Sequence, residues 1–250
     1  MSAPEPLLSA EGLYVSLGGL PILRDVSFQI DPGSTVAILG GNGAGKTTLL
    51  RSVLGLIAHQ EGAVRVFGQS LASFQDWARV GYVPQHTSLQ VANATVREIV
   101  ATGRLARRGP LRWSTKQDRS AIGDALEQVG LADRSGWPFS ALSGGQRQRT
   151  VIARALATKP ELLIMDEPLA GVDLHSQSGI ATLLGELRAA GRGMAIVLHE
   201  LGPLAPLLDR SITLCDGRVV PADDSEAAHC DPPASTANPI GLADVIAGDK

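Results

Sequence analysis

The chain has 250 residues, of which 44 % are hydrophobic and 28 are glycine, enough for one large globular domain or for one domain carrying an inserted subdomain. A formal net charge of -3 leaves out the strongly basic field that drives non-specific nucleic-acid binding. No stretch approaches the roughly 18–20 consecutive apolar residues needed to span a bilayer, and Met1–Pro6 lacks the basic-then-apolar order of a signal peptide, so a cytoplasmic location is expected.

Leu8 to Leu17 and Ile22 to Ile30 read as two strands joined by a Gly18-Gly19 turn. Asp31-Pro32-Gly33-Ser34 turns the chain into Thr35–Leu39, a short apolar run of buried-strand type. A glycine-rich loop follows at once. Thr47 to Leu56 has helical spacing, and Gly62 to Gly68 and Arg79 to Val83 suggest further strands. Between about residues 88 and 157 the strand signal fades, and apolar residues recur every three or four positions: Val96, Ile99 and Val100, then Ile122, Ala125, Leu126 and Val129. This segment is expected to be a helical insertion. The strand and helix alternation then resumes with Leu162–Met165, Leu174–Ala190, Met194–Leu198, a short helix, and a hairpin about Asp216-Gly217. The expected division is a domain over 7–220 with its insertion at about 88–157, followed by a loosely held tail over 221–250 that is rich in Ala, Asp and Pro.

Three constellations carry chemistry. Gly40-Gly41-Asn42-Gly43-Ala44-Gly45-Lys46-Thr47 satisfies G-x-x-x-x-G-K-[ST] between an expected strand and helix, the context this phosphate loop requires. Its glycines allow the backbone to wrap around phosphate oxygens, Lys46 is expected to reach the β- and γ-phosphates, and Thr47 to offer its hydroxyl to Mg²⁺, with Thr48 beside it. Leu162 to Met165 ends in the acids Asp166 and Glu167, whose side chains alternate in direction. One can hold Mg²⁺ while the other faces attacking water as general base. Leu142-Ser143-Gly144-Gly145-Gln146 opens a segment of good helical composition, making a second glycine-rich helix start, although one nucleotide needs only one such cradle.

Together these segments resemble the ATP-binding-cassette family, whose signature is LSGGQ, and the resemblance runs in order from about Leu8 to Val220. It implies an α/β fold: a P-loop NTPase sheet core with an N-terminal antiparallel β subdomain and an inserted α-helical subdomain. It also implies ATP and Mg²⁺ as ligands. In that family the signature of one subunit closes on the ATP held by the phosphate loop of another, so Ser143, Gly144, Gly145 and Gln146 are expected to serve a second cassette, most simply a second copy. By the same resemblance Tyr14 stacks on adenine, Gln85 senses Mg²⁺ and water, His199 contacts the γ-phosphate, and Ala170-Gly171-Val172-Asp173 links the two sites. Each is weaker alone: Tyr14 fits ordinary strand packing, Gln85 a loop, His199 a core histidine. Glu200 stands where the family often has aspartate, and Gly41 where it often has proline or serine.

The short distance from Lys46 to Ser143, without sustained heptads, and the single phosphate loop favour a transporter subunit over chromosome-organising or tandem-cassette members. The membrane span must then lie on separate permease subunits, with an extracytoplasmic solute-binding protein in the same system and this chain peripheral on the cytoplasmic face. Arg97, Arg104, Arg107, Arg108 and Arg112 form either a docking or lipid-facing segment or an ordinary solvated surface. Ala94–Glu98, Ala101–Arg104, Gly171–Asp173 and Val197–Leu204 resemble zinc and manganese importer cassettes. Iron-siderophore and cobalamin importers, and a non-transport ATPase acting on nucleic acid or ribosomes, remain alternatives.

Overall fold

The computed structural model describes residues 5–85, 94–108 and 114–220. The expected tail and Arg112 lie outside the described residues. Strands β1 (Leu8–Leu17) and β2 (Leu20–Ile30) form a hairpin about Gly18-Gly19; β3 (Thr35–Gly40) runs into the phosphate loop and helix α1 (Lys46–Val53). Then come β4 (Glu61–Val66), β5 (Gln69–Ser70) and β6 (Val80–Val83), followed by four helices: α2 (Val96–Thr102), α3 (Leu105–Arg108), α4 (Lys116–Gln128) and α5 (Gly144–Leu156). The chain closes with β7 (Leu162–Asp166), α6 (Leu174–Ala189), β8 (Gly193–Val197), β9 (Arg210–Cys215) and β10 (Arg218–Val220). The short helix expected after β8 is a 3-10 turn at Gly202–Leu207, where Pro206, inside the turn, removes a donor that an α-helix would need.

Two sheets result. An antiparallel one has the order β2-β1-β4-β5, and a six-stranded one the order β10-β9-β3-β8-β7-β6, parallel except for its edge strand β10. Helices and the antiparallel sheet cover the parallel sheet on its two faces, which explains why β7 and β8 are buried along their whole length and read as continuous apolar runs. Alternation divides β7 between two cores. Leu162 and Ile164 join Leu49 and Leu50 of α1 and Leu13 and Val15 of β1. Leu163 and Met165 join Val151 and Ile152 of α5 and Ile180 and Leu184 of α6. Truncating a fully buried leucine here, such as Leu163→Ala, is expected to cost about 2–5 kcal/mol.

Register places the chemistry. Ile38 of β3 aligns with Val197 of β8, Asp166 of β7 with the same Val197, and Val83 of β6 with Met165. The residues that follow these four adjacent parallel strands therefore emerge along one edge of the sheet. Ligands of open α/β sheets bind there, beyond the carboxyl ends.

Candidate functional site

The phosphate loop leaves β3 at Gly40, where φ is 146° and an added Cβ would lie 2.4 Å from the Leu214 carbonyl oxygen. At Gly45, with φ 101°, a Cβ would lie 2.8 Å from the Leu23 side chain. Both positions need glycine, for conformation and for space. Gly45 caps α1 without a side-chain hydrogen bond, and no acid lies in the first turn. The amides at this helix start are thus left for an outside anion, and the macrodipole favours one.

Lys46 is 6 % exposed, and its Nζ donates to the carbonyl oxygens of Gly40 at 2.7 Å and Gly41 at 2.9 Å. Burial pushes its ammonium below the usual lysine range, while the charges of Glu167 and Asp166 pull the other way. A buried cation whose partners are neutral loop carbonyls has an electrostatic reason to accept phosphate oxygens. Asn42 and Gly43 are exposed at the loop's outer turn and Ala44 packs inward; Thr47 and Thr48 are half-buried in the first turn of α1.

Asp166 ends β7 at 1 % exposure. Burial holds its carboxyl above the ordinary aspartate range; a hydrogen bond with Thr47 opposes this, the Glu167 charge adds to it, and the Arg51 and Lys46 charges oppose it. Its Oδ1 is buried with no partner among the described residues. An orphaned carboxylate oxygen beside a threonine hydroxyl and the phosphate loop fits a hard cation such as Mg²⁺, which binds oxygen donors.

Glu167 has φ 48°, a left-handed conformation uncommon for a non-glycine residue, and its N–H donates to the Val197 carbonyl at 3.1 Å. This turn brings its side chain to two other strand ends. Its Oε2 accepts from Gln85 Nε2 at 2.6 Å and its Oε1 from His199 Nε2 at 2.8 Å. The carboxylate is 10 % exposed and the histidine 46 %. A cavity of about 280 Å³ opens beside them, walled by Gly171, Gln177 and Pro203.

The signature segment starts α5 with a capping box: Ser143 Oγ accepts from the Gln146 N–H at 3.3 Å, and Gln146 Oε1 accepts from the Ser143 N–H at 3.1 Å. Ser143 and Gly144 are exposed, whereas Gly145 is buried, and a Cβ on Gly145 would lie 2.3 Å from Ser176 Oγ. Asp173 caps α6, with Oδ1 accepting from the Ser176 N–H at 3.0 Å, and this bond holds its carboxyl below the usual range. Its carboxylate is thus committed within the chain, leaving the exposed Gly171 and Leu174 as the outward part of that loop.

Tyr14 is half-buried on β1, next to Val15, whose strand partner Leu23 is the residue that approaches Gly45. Strand ends thus bring together Lys46, Asp166, Glu167, Gln85 and His199. The signature segment packs at Gly144 and Gly145 against Gly171 and Ser176. Sequence reasoning missed Arg51, Tyr82 and Gln177. Arg51 hydrogen-bonds Tyr82 and bears on Asp166; its signal was the four-residue helical spacing from Thr47. Gln177 Nε2 donates to the Val172 carbonyl at 3.0 Å, one turn on from Asp173.

The arginine-rich segment, expected to be either a docking or lipid-facing surface or a solvated one, needs correction for one member, because both readings leave Arg104 at the surface. Arg104 is buried in an ion pair with Asp118, whereas Arg107 stays exposed while donating to the Thr158 carbonyl.

Residues 23–170 match the family described as ABC transporter. The zinc uptake system ATP-binding protein of Listeria innocua is 40 % identical over 72 % of this chain and 71 % of its own length. The manganese transport system ATP-binding protein of Bacillus subtilis is 39 % identical over 72 % of each. The hemin import ATP-binding protein of Streptomyces coelicolor is 39 % identical over 86 % of this chain and 77 % of its own. A crystal structure of a nucleotide-free ATP-binding cassette from an ABC transporter superposes with a TM-score of 0.78 at 25 % identity, covering 87 % of this chain and 90 % of the other. With a family match over more than half of its length and with this fold, the chain belongs to the ABC transporter family, as an ATP-binding and ATP-hydrolysing cassette.

Proposed function

We propose that this cassette drives import of a divalent metal ion, zinc or manganese, through permease subunits on other polypeptides, working as a pair of cassettes on the cytoplasmic face of the membrane. A solute-binding protein would deliver the cargo outside. Residues 7–220 would form the nucleotide-binding domain, with 88–157 as its insertion and 221–250 as an appended tail.

The observation that carries the catalytic reading is the double hold on Glu167, by Gln85 and His199, directly after the half-paired Asp166. Glu167 takes a proton from the attacking water, and His199 turns toward the γ-phosphate once that carboxylate engages water. Lys46 leaves its loop carbonyls for the β- and γ-phosphates, and the α1 amides with Gly40–Gly45 cradle the chain of phosphates. Thr47, Asp166 and Gln85 would hold Mg²⁺, which neutralises phosphate charge when bound. Tyr14 would stack on adenine. Ser143, Gly144, Gly145 and Gln146, exposed or at a helix start, would close on the nucleotide of the opposite cassette, with the loop ending at Asp173 between the two sites.

The cargo reading rests on the zinc and manganese relatives. A second reading, an iron-chelate cargo, is favoured by the hemin import relative, which covers more of this chain. Uptake of zinc, manganese, iron and hemin into cells carrying Glu167→Gln in place of the native copy separates them. Selective loss of zinc or manganese uptake is expected; selective loss of hemin or iron uptake supports the second reading, and unchanged uptake of all four contradicts both.

A further inference from the structure

The helices between β6 and β7 are laced by polar contacts that the nucleotide site does not use. Arg104, just past the end of α2, is 6 % exposed, and Asp118, in the first turn of α4, is 3 % exposed. Arg104 Nε donates to Asp118 Oδ1 at 2.7 Å, and its Nη1 to the carbonyl oxygen of Ala157 at 2.9 Å, the residue that caps the C-terminus of α5. The other carboxylate oxygen of Asp118 accepts from the Thr115 N–H at 3.0 Å and hydroxyl at 2.8 Å. One guanidinium, just beyond the end of α2, therefore touches both α4 and the end of α5.

The neighbouring residues tighten the same junction. A Cβ on Gly103 would lie 2.0 Å from the Arg154 carbonyl oxygen, so any side chain there would force α2 away from α5. Arg107 Nε donates to the Thr158 carbonyl at 2.9 Å, and Lys159 pairs with Asp124 of α4 at 2.9 Å. The charges also agree with the helix dipoles: a carboxylate at the start of α4, guanidinium groups at the end of α5.

A buried ion pair is a poor source of stability compared with packed hydrocarbon, but its bonds are directional, so it adds an orientation requirement to the non-directional apolar contact. Val96, Ile99, Ile122, Leu126, Val151 and Ile152 already supply the apolar contact between these helices. What the pair adds is a directional link between the end of α2, the start of α4 and the end of α5. Helix α5 begins with the signature segment.

We propose that Arg104 and Asp118 are positioning residues for the closure of two cassettes: they join α2 and α4 to the far end of α5, so that Ser143 and Gly144 meet the opposite nucleotide at a set angle. The inference rests on the reading that the signature completes the opposite site. Gly103 is part of the device, since it lets the end of α2 seat against α5.

The test combines Arg104→Met with Asp118→Leu, which replaces the pair by apolar groups and leaves no lone buried charge, in a Glu167→Gln background. Dimer formation is titrated with MgATP by light scattering, a fluorescent ATP analogue reports binding to the monomer, and a melting curve reports the fold. Nucleotide affinity is expected to stay within about twofold while the MgATP concentration for half-maximal dimer rises about tenfold. Arg104→Lys, which keeps the charge without the two-pronged geometry, is measured in the same way and is expected to fall between. Dimerisation at unchanged MgATP, in either the double variant or Arg104→Lys, overturns the proposal. So does loss of nucleotide binding in step with loss of dimer, which marks a general defect of the fold. If Glu167→Gln alone binds the analogue yet never dimerises, the reading beneath the proposal fails and takes the proposal with it.

Discussion

The side-chain amide of Gln85 donates to the carboxylate of Glu167 at 2.6 Å. Gln85 follows β6 and Glu167 follows β7, so this contact spans the edge where neighbouring parallel strands end. It leaves Glu167 aimed by one donor on each oxygen, with His199 as the other. Replacing Gln85 by Ala frees one oxygen without touching the phosphate loop. Hydrolysis is expected to fall about 10- to 100-fold while affinity for a fluorescent ATP analogue, titrated without Mg²⁺, stays the same, a split measured by steady-state turnover against that binding titration.

Lys46 presents the opposite case. Its ammonium sits inside the loop on the carbonyls of Gly40 and Gly41. Lys46→Ala removes the only cation of the loop itself, and nucleotide affinity is expected to drop about a hundredfold, roughly 3 kcal/mol. Unchanged affinity by the same titration would contradict the assignment of the loop.

Gly145 packs against Ser176 with no room for a methyl group. In Gly145→Ala the signature segment must lift from α6, and turnover is expected to fall at least about tenfold with nucleotide binding to the monomer retained. Adding Ser176→Gly removes the obstructing atoms, so partial recovery of turnover in the double variant is expected. No recovery would mean that the clash is not the cause.

The fold was largely legible from periodicity, because β7 and β8 are short, apolar and bounded by turns, and α4 and α6 are long enough to show their period. Strand and helix ends shifted by a residue or more; α1, for example, stops at Val53 where the pattern ran on to Leu56. The phosphate loop, Asp166 and Glu167 lie within contiguous motifs and could be read directly. Gln85 and His199 could be named only by resemblance, since they lie on separate strand ends and meet Glu167 only through sheet register. Arg104 was misread for a related reason. A run of arginines looks solvated in one dimension, and only the packing of α4 and α5 shows that Asp118 and the Ala157 carbonyl are waiting for one of them.

Asp118 also makes a statement about pH. Backbone hydrogen bonding from Thr115, aided by Arg104 and opposed by burial, lowers its carboxyl from 3.8 to about 2. A carboxylate depressed in the folded state stabilises the fold above its unfolded value, and that contribution is lost as pH falls from about 4 through about 2. The stability of the natural chain relative to the Arg104→Met, Asp118→Leu pair is therefore expected to decline by about 2 kcal/mol across that window, measured by denaturant unfolding at stepped pH. A difference independent of pH would contradict the depressed carboxyl.

The central claim is that ATP closes two cassettes, each contributing its phosphate loop and Glu167 to one site and its signature segment to the other. Light scattering of the Glu167→Gln protein, with and without saturating MgATP, tests it most directly. A shift from monomer to dimer mass that requires MgATP and is abolished by adding Lys46→Ala is the predicted result; a mass that stays monomeric at saturating MgATP, while the fluorescent analogue binds, would contradict it.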